Sequence, residues 1–488
     1  MSSPILEDHV DVVICSPNES FWGDVKNLLS GFYPYRQTWV NKVDDLLEVE
    51  NLEKIFIKEH GEEELFNPLL AIVEAQEDTQ KSSEWVQALK MSYPHVPTLV
   101  IFKTEAPIVH QVVKKNGASK TMHYPYDAEF ISDIILELAP VDLVGDSIPV
   151  SALVPVDLED FEPDTEIPSG MYIRLPANNK TLCLRKKDSK VDERTLKKFL
   201  KSPSHRVLIK KTELKAFMSY ARDVMQARGN QDLVSATERF QNTKYKIQNM
   251  MATFLDEDEL DYDEGKKILE DCESILEDLL VHKNISDDRI LRLLRSHTGH
   301  IKTNYNDAIN VCAYSAIFAQ ILKFEPDECK EIALGGLLHN IGLAGIPTKF
   351  TTKAINELEE EDWAEYKLYP KRAIFMIKRR KVPLLEIATK CIEQSMERID
   401  GSGFPKGYSG VAVSKFSRVV NIAIEFNKLT SMNSNGKFYN PRDAIFQLIK
   451  DNQEVASLDL RNLTVLANYF KKHYKTAEER DELKRLVG

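Results

Sequence analysis

The residues of this chain that could do chemistry gather between Asn304 and Thr430. His339-Asn340 lies in the run Leu337-Leu338-His339-Asn340-Ile341-Gly342-Leu343-Ala344-Gly345-Ile346-Pro347; Asp307 precedes it on a helical stretch, and Asp400-Gly401-Ser402-Gly403-Phe404-Pro405 and Ser417-Arg418-Val419-Val420 follow. A hydrolase working through two or three divalent cations needs several imidazoles and carboxylates converging, with coordination positions left for water. From residue 301 onward the only histidines are His339 and His473. One imidazole cannot hold a binuclear site. His339 therefore reads as a satisfied, partly buried helix residue, and a weak mononuclear site shared with Asp307 or Glu425 is the sharper alternative. Arg418, Lys428 and Lys437 are the cations that could neutralise phosphate in the same region. The Gly401 to Pro405 loop puts two glycines and a proline into five residues, which makes a tight, rigid turn. It either holds Phe404 outward as an anchor for a partner or folds it inward as a plug.

The order of these motifs resembles the HD-GYP family, the bacterial cyclic-di-GMP phosphodiesterases, over residues 301 to 475. The resemblance implies an all-α HD-type domain with a metal centre, and at most of the implied metal positions this chain carries something else. Asp307 stands in place of the first His, Asn340 in place of the Asp of the His-Asp pair, and Tyr369 in place of the His before Pro370. Ser395 and Met396 replace a His-His pair ahead of Glu397, and Ile424 replaces the last Asp; only His339 matches. Leu343 stands where the family has a substrate-contacting Lys. The loop from Asp400 to Pro405 differs from the family's only in Phe404 for Tyr, and in the family this loop is implicated in contacts with cyclase domains. The expectation is a pseudoenzyme: not an enzyme, with no metal and no cofactor, acting as a regulator or adaptor in cyclic-di-GMP signalling. Its partner-binding residues are Asp400, Gly401, Ser402, Gly403, Phe404 and Pro405, and its partner a GGDEF-type diguanylate cyclase or a motility or polarity factor. The alternative is a sensor that binds cyclic-di-GMP through Arg418, Lys428 and Lys437 without hydrolysing it.

Several elements must stand ahead of this domain. Residues 10 to 140 alternate apolar runs with helical patterns, with strands expected at Val10 to Cys15, Arg36 to Val40, Pro68 to Val73, Pro97 to Phe102 and Thr121 to Tyr124. Such alternation implies βαβ units and a doubly wound parallel sheet. It resembles a response-regulator receiver, with Ser16-Pro17-Asn18 where that family has its acidic pair, Glu74 in place of the phosphoacceptor Asp, and Tyr124 in place of the Lys. Glu74 is then either a permanent anion or a solvated strand end, and the last helix, Phe130 to Leu138, is the expected homodimer surface. Residues 141 to 222 read as a small α+β module resembling the one that precedes the core in HD-GYP proteins, whose Lys186-Lys187 and Lys210-Lys211 pairs either bind an anionic ligand or form a solvated rim, the latter being the commoner case. Residues 223 to 300 read as a helical linker bundle, and 301 to 488 as the degenerate HD-GYP domain. The fold class is thus multidomain: receiver-like α/β, small α+β module, all-α domain.

The composition suits this plan. A chain of 488 residues is long enough for several cores, and 43% hydrophobic with 29% charged residues is ordinary globular usage. No apolar run reaches the ~18 residues that span a bilayer, and the acidic N-terminus lacks a basic leader, so a cytoplasmic protein is expected. Cys15, Cys183, Cys272, Cys312, Cys329 and Cys391 have no Cys-x-x-Cys spacing and read as reduced thiols. A net charge of −12 argues against nucleic acid as partner. The acidic run from Asp256 to Glu264 lacks the glycine of a calcium loop and reads as a solvated helix start.

Overall fold

The computed structural model describes residues 10–30, 35–61, 66–76, 79–103, 110–124, 131–139, 148, 152–175, 180–200, 206–228, 236–255, 262–280, 290–291, 293–294, 297–300, 304–346, 359–432 and 438–473. The chain divides into two compact units near Val154. Five of the seven acidic residues of the 256–264 run lie outside the described residues, as does Lys437.

In the first unit the strands Val10–Cys15 (β1), Tyr35–Val40 (β2), Pro68–Glu74 (β3), Thr98–Lys103 (β4) and Lys120–Tyr124 (β5) form one parallel sheet in the order β2-β1-β3-β4-β5. The apolar runs are continuous because both faces are covered. Val13, Cys15, Ala71 and Val73 enter one core with Trp85, Val86 and Leu89 from the helix Thr79–Ser92. Val12, Ile14, Leu70 and Ile72 enter the other, with Phe21 and Val25 from the helix Glu19–Ser30 and with Ile131 and Ile135 from the helix Ile131–Leu138. The two-residue period of a strand makes this division. The order places the carboxyl ends of β1 and β3 at the switch point, where ligands of such sheets bind.

The second unit opens with a four-stranded sheet in the order Leu153–Asp157, Arg206–Lys210, Met171–Leu175, Lys180–Arg185, packed on the helix Leu214–Ala227 around Phe161, Ile209 and Phe217. That helix runs through the expected boundary at 222. Lys210 is buried, not on a solvated rim, and burial holds the Lys211 ammonium well below its ordinary range. The helices Ala236–Leu255 and Tyr262–Leu280 follow, and then the helical domain proper.

Its centre is the helix Asn304–Ile321, buried on nearly every side, as expected of a helix that is apolar all round. Tyr314 and Phe318 on this helix, Phe426 on the helix Lys415–Thr430 and Phe470 on the helix Leu460–His473 form one aromatic core, with ring centroids 4.8 to 6.4 Å apart. The helix Pro326–Leu338 starts at a capping box between Glu325 and Glu328, with Pro326 in its first turn. It ends at His339. No described helix is long and apolar enough to cross a membrane. All six cysteines are unpaired, and five are buried.

Candidate functional site

His339 caps the C-terminus of the Pro326–Leu338 helix with its side chain 5% exposed. Its Nδ1 lies 2.7 Å from the carbonyl oxygen of Gly336, which can only accept, so Nδ1 carries the proton and the lone pair sits on Nε2. Burial, with the Lys428 ammonium adding to it, pulls the imidazole down to about 4. His339 is a neutral, satisfied helix-end residue at neutral pH.

The groups around it are mostly neutral. Asn340 donates from Nδ2 to the carbonyl of Asn304 at 2.7 Å. Asp307 accepts from Asn427 Nδ2 at 2.8 Å, and Asn427 Oδ1 accepts from Asn310 Nδ2 and Ser431 Oγ at 3.0 Å each. This amide chain ties the Asn304–Ile321 helix to the Lys415–Thr430 helix where carboxylates would otherwise converge. Tyr369 is buried and keeps its proton, because burial and the neighbouring Tyr366 raise its hydroxyl well above the ordinary value. Tyr366 is pushed up to about 12, by burial and then by the Asp307 carboxylate. Ser395 is fully buried, Met396 packs on the core, and Ile424 is part of that core.

A further carboxylate near these positions, besides Asp307 and Glu397, is Glu425. Burial pushes it up, but Lys428, 2.8 Å away, and Arg398 outweigh that and hold it below its ordinary range. Among the described residues no three His, Cys, Asp or Glu side chains converge. The donor set of one imidazole, amides, hydroxyls and three carboxylates already engaged by other groups does not fit a two- or three-cation centre.

The loop from Asp400 to Pro405 is held from below by Glu397, which is fully buried and accepts from the backbone N–H groups of Lys406 and Tyr408 at 2.8 and 2.9 Å. Asp400 accepts from the backbone and the hydroxyl of Ser402. Gly403 lies so close to the preceding strand of chain that a Cβ there would sit 2.3 Å from the Arg398 nitrogen. Gly401 adopts φ +84°, a conformation that glycine takes without strain. Phe404 does not point outward. It is 9% exposed, with its ring 5.9 Å from Trp363, 6.3 Å from Tyr366 and 6.0 Å from Tyr369, all edge-on. The expectation of an exposed aromatic anchor is corrected: three rings on neighbouring turns offer Phe404 an apolar box, and the ring fills it.

The cations expected to meet a dinucleotide are placed as follows. Arg418 donates to Asp459 at 2.8 Å, to the Val413 carbonyl at 3.0 Å and to the Gly410 carbonyl at 2.9 Å, so three of its N–H groups are engaged within the domain. Lys428 is half exposed beside Glu425, and Lys437 lies outside the described residues. In the first unit Glu74 is buried and accepts from the Ser16 hydroxyl, so it is not a solvated strand end. The side chain of Tyr124 lies outside the described ones. Glu397, Asn310, Asn427 and the Trp363–Tyr366 stack were not picked out as site residues. Amide side chains on otherwise apolar helical stretches, at Asn310 and Asn427, are the signal that could have found the link between them.

Comparison with known proteins fixes the domain. Residues 284–459 match the family model described as HD domain. A cyclic di-GMP phosphodiesterase of Pseudomonas aeruginosa is 27% identical over 164 residues, 33% of this chain and 39% of that protein. The cyclic di-GMP phosphodiesterase response regulator RpfG of Xanthomonas campestris is 26% identical over 117 residues, 24% of this chain and 31% of that protein. The cyclic di-GMP phosphodiesterase PdeB of Borreliella burgdorferi is 30% identical over 142 residues, 28% of this chain and 35% of that protein. The C-terminal part of this chain is an HD domain, homologous to those of the HD-GYP cyclic-di-GMP phosphodiesterases. Each match spans less than half of the relative. A solved HDG"Y"P protein from Bdellovibrio bacteriovorus aligns over 65% of this chain and 99% of its own at 16% identity and a TM-score of 0.38.

These relatives correct one expectation outright. The substitutions at the metal positions suggested that the chain is no enzyme, but the proteins to which its HD domain is homologous are named as phosphodiesterases, and the family is an enzymatic one. Substituted ligand positions do not by themselves remove a chain from that class.

Proposed function

We propose that this chain is a regulatory protein of cyclic-di-GMP signalling whose HD domain works through a protein contact on the outer rim of the 400–411 loop. The observation that carries this is the construction of the loop. Glu397 and Phe404 fix it from inside, while Asp400, Ser402, Lys406 and Val411 stand in solvent, Val411 at 97% exposure. A rigid rim around an exposed apolar residue suits docking, because little side-chain and loop freedom is lost on binding. The homologous HD domains of proteins named for cyclic di-GMP support the pathway, and a GGDEF-type diguanylate cyclase is the partner proposed. The β2-β1-β3-β4-β5 sheet, with Ser16 and Glu74 at its switch point, supports a receiver-like input domain.

The test is co-purification of the full chain with a GGDEF-type cyclase, for the parent and for Val411→Asp and Lys406→Glu. Hydrolysis of cyclic-di-GMP with added manganese or iron is measured on the same samples. The reading expects the two substitutions to abolish co-purification. Retained co-purification overturns it; hydrolysis that His339→Ala removes would add catalysis to the domain's role and leaves the docking reading to the co-purification result.

A further inference from the structure

The helix Tyr369–Arg379 has a second face that the site does not use. Tyr369, Ala373 and Ile377 are buried on one side. Leu368 at its N-cap, Lys371, Phe375, Lys378 and Arg379 are all exposed. At ~100° per residue these five fall within an arc of about 100°, opposite the buried side. Phe375 is 67% exposed, the most exposed aromatic residue among the described ones. A lone exposed ring needs no explanation. Its surroundings do. Lys371 lies one turn before it and Lys378 and Arg379 one turn after, and none of the three has an ion-pair partner among the described residues, whereas the adjacent Arg372 is bonded to Glu365 at 2.8 Å. In a chain of net charge −12 this is an unbalanced cationic stripe with an apolar centre.

We propose that this face docks an acidic amphipathic helix of a partner protein, with an apolar side chain over Phe375 and carboxylates meeting Lys371 on one side and Lys378 and Arg379 on the other. The proposal rests on the reading that the HD domain works through protein contacts. The stripe is straight and extends about 16 Å from Leu368 to Arg379, three helical turns, which is the footprint of a helix laid alongside. One phenylalanine and one partly exposed leucine are too narrow an apolar face for a membrane surface.

The experiment uses the full chain and a fluorescein-labelled peptide of about four helical turns, with leucines along one face and glutamates beside them, together with a control in which lysines replace the glutamates. Anisotropy should show binding of the acidic peptide and none of the control. Phe375→Ala and the double variant Lys371→Glu/Lys378→Glu should each weaken binding at least about tenfold, and added salt should weaken it further in the parent. All three positions are solvent-facing, and circular dichroism confirms that the variants fold. Absent binding, or equal binding by the variants, overturns the proposal. So does Phe375-dependent binding to phosphatidylserine vesicles in place of the peptide, or a dimer in light scattering that Phe375→Glu dissolves. If a cyclase co-purifies in a Val411-dependent way while the peptide fails, this surface falls and the proposed function stands. Peptide binding without cyclase co-purification refutes the cyclase reading alone.

Discussion

Replacing Phe404 by alanine tests whether the ring is a structural plug. The side chain is 9% exposed and meets three aromatic rings edge-on at 5.9 to 6.3 Å. Phenylalanine-to-alanine changes in cores cost about 3 to 5 kcal/mol, the spread reflecting how far the cavity can close. Trp363 and Tyr366 are themselves only half-buried and can lean into the space, so the lower end, about 3 kcal/mol, is expected. Phe404→Leu keeps most of the apolar area and loses the edge-on contacts, each worth about 0.5 to 1.5 kcal/mol, so it should fall between parent and alanine. Because the chain has two compact units, a global melt would mix transitions. Trp363 offers a local reading: the other three tryptophans, Trp22, Trp39 and Trp85, all lie before residue 140 and can be made phenylalanine. Urea unfolding followed by Trp363 emission then reports the HD domain. A loss below about 1 kcal/mol for Phe404→Ala, the ordinary range of surface changes, would refute the plug.

Further outcomes follow from the same geometry. Glu397→Gln keeps the shape but halves the acceptors offered to Lys406 and Tyr408, and should cost about 1 to 3 kcal/mol with faster protease cleavage in the 400–412 loop; unchanged cleavage would contradict its scaffolding role. Gly403→Ala should destabilise the same loop, since its Cβ would meet backbone at 2.3 Å, and hydrogen exchange at Phe404, whose amide donates to the Met396 carbonyl at 3.1 Å, should quicken. The imidazoles of His339 and His297 are both lowered by burial from 6.5 to about 4. Their stabilising contribution is therefore complete above pH 6.5 and is lost as pH falls through the window down to about 4. His339→Gln should lose less stability than the parent between pH 7 and pH 5 in urea titrations, and equal losses would deny His339 its buried, neutral state. Asn427→Leu, which leaves Asp307 and Asn310 without their shared amide, should cost about 1 to 3 kcal/mol by the same assay.

The sequence alone determined the elements and the kind of domain they build. Short continuous apolar runs placed the five strands of the first sheet to within a few residues, because strands buried on both faces read as unbroken Val, Ile and Leu. The ordered motifs around His339 and Asp400 placed the HD domain, because the close backbone approach at Gly403 and the αL turn at Gly401 admit few residue types. Tertiary structure alone decided which way the side chains of the loop face. Whether Phe404 points out or in depends on Trp363, Tyr366 and Tyr369 arriving on a segment some forty residues earlier in the chain, and no local pattern encodes that meeting. The same holds for Arg418, whose ion pair with Asp459, some forty residues later in the chain, exists only once the fold brings the two segments together. A side chain's type limits what it can bond, but burial and neighbours from distant segments decide what it does bond.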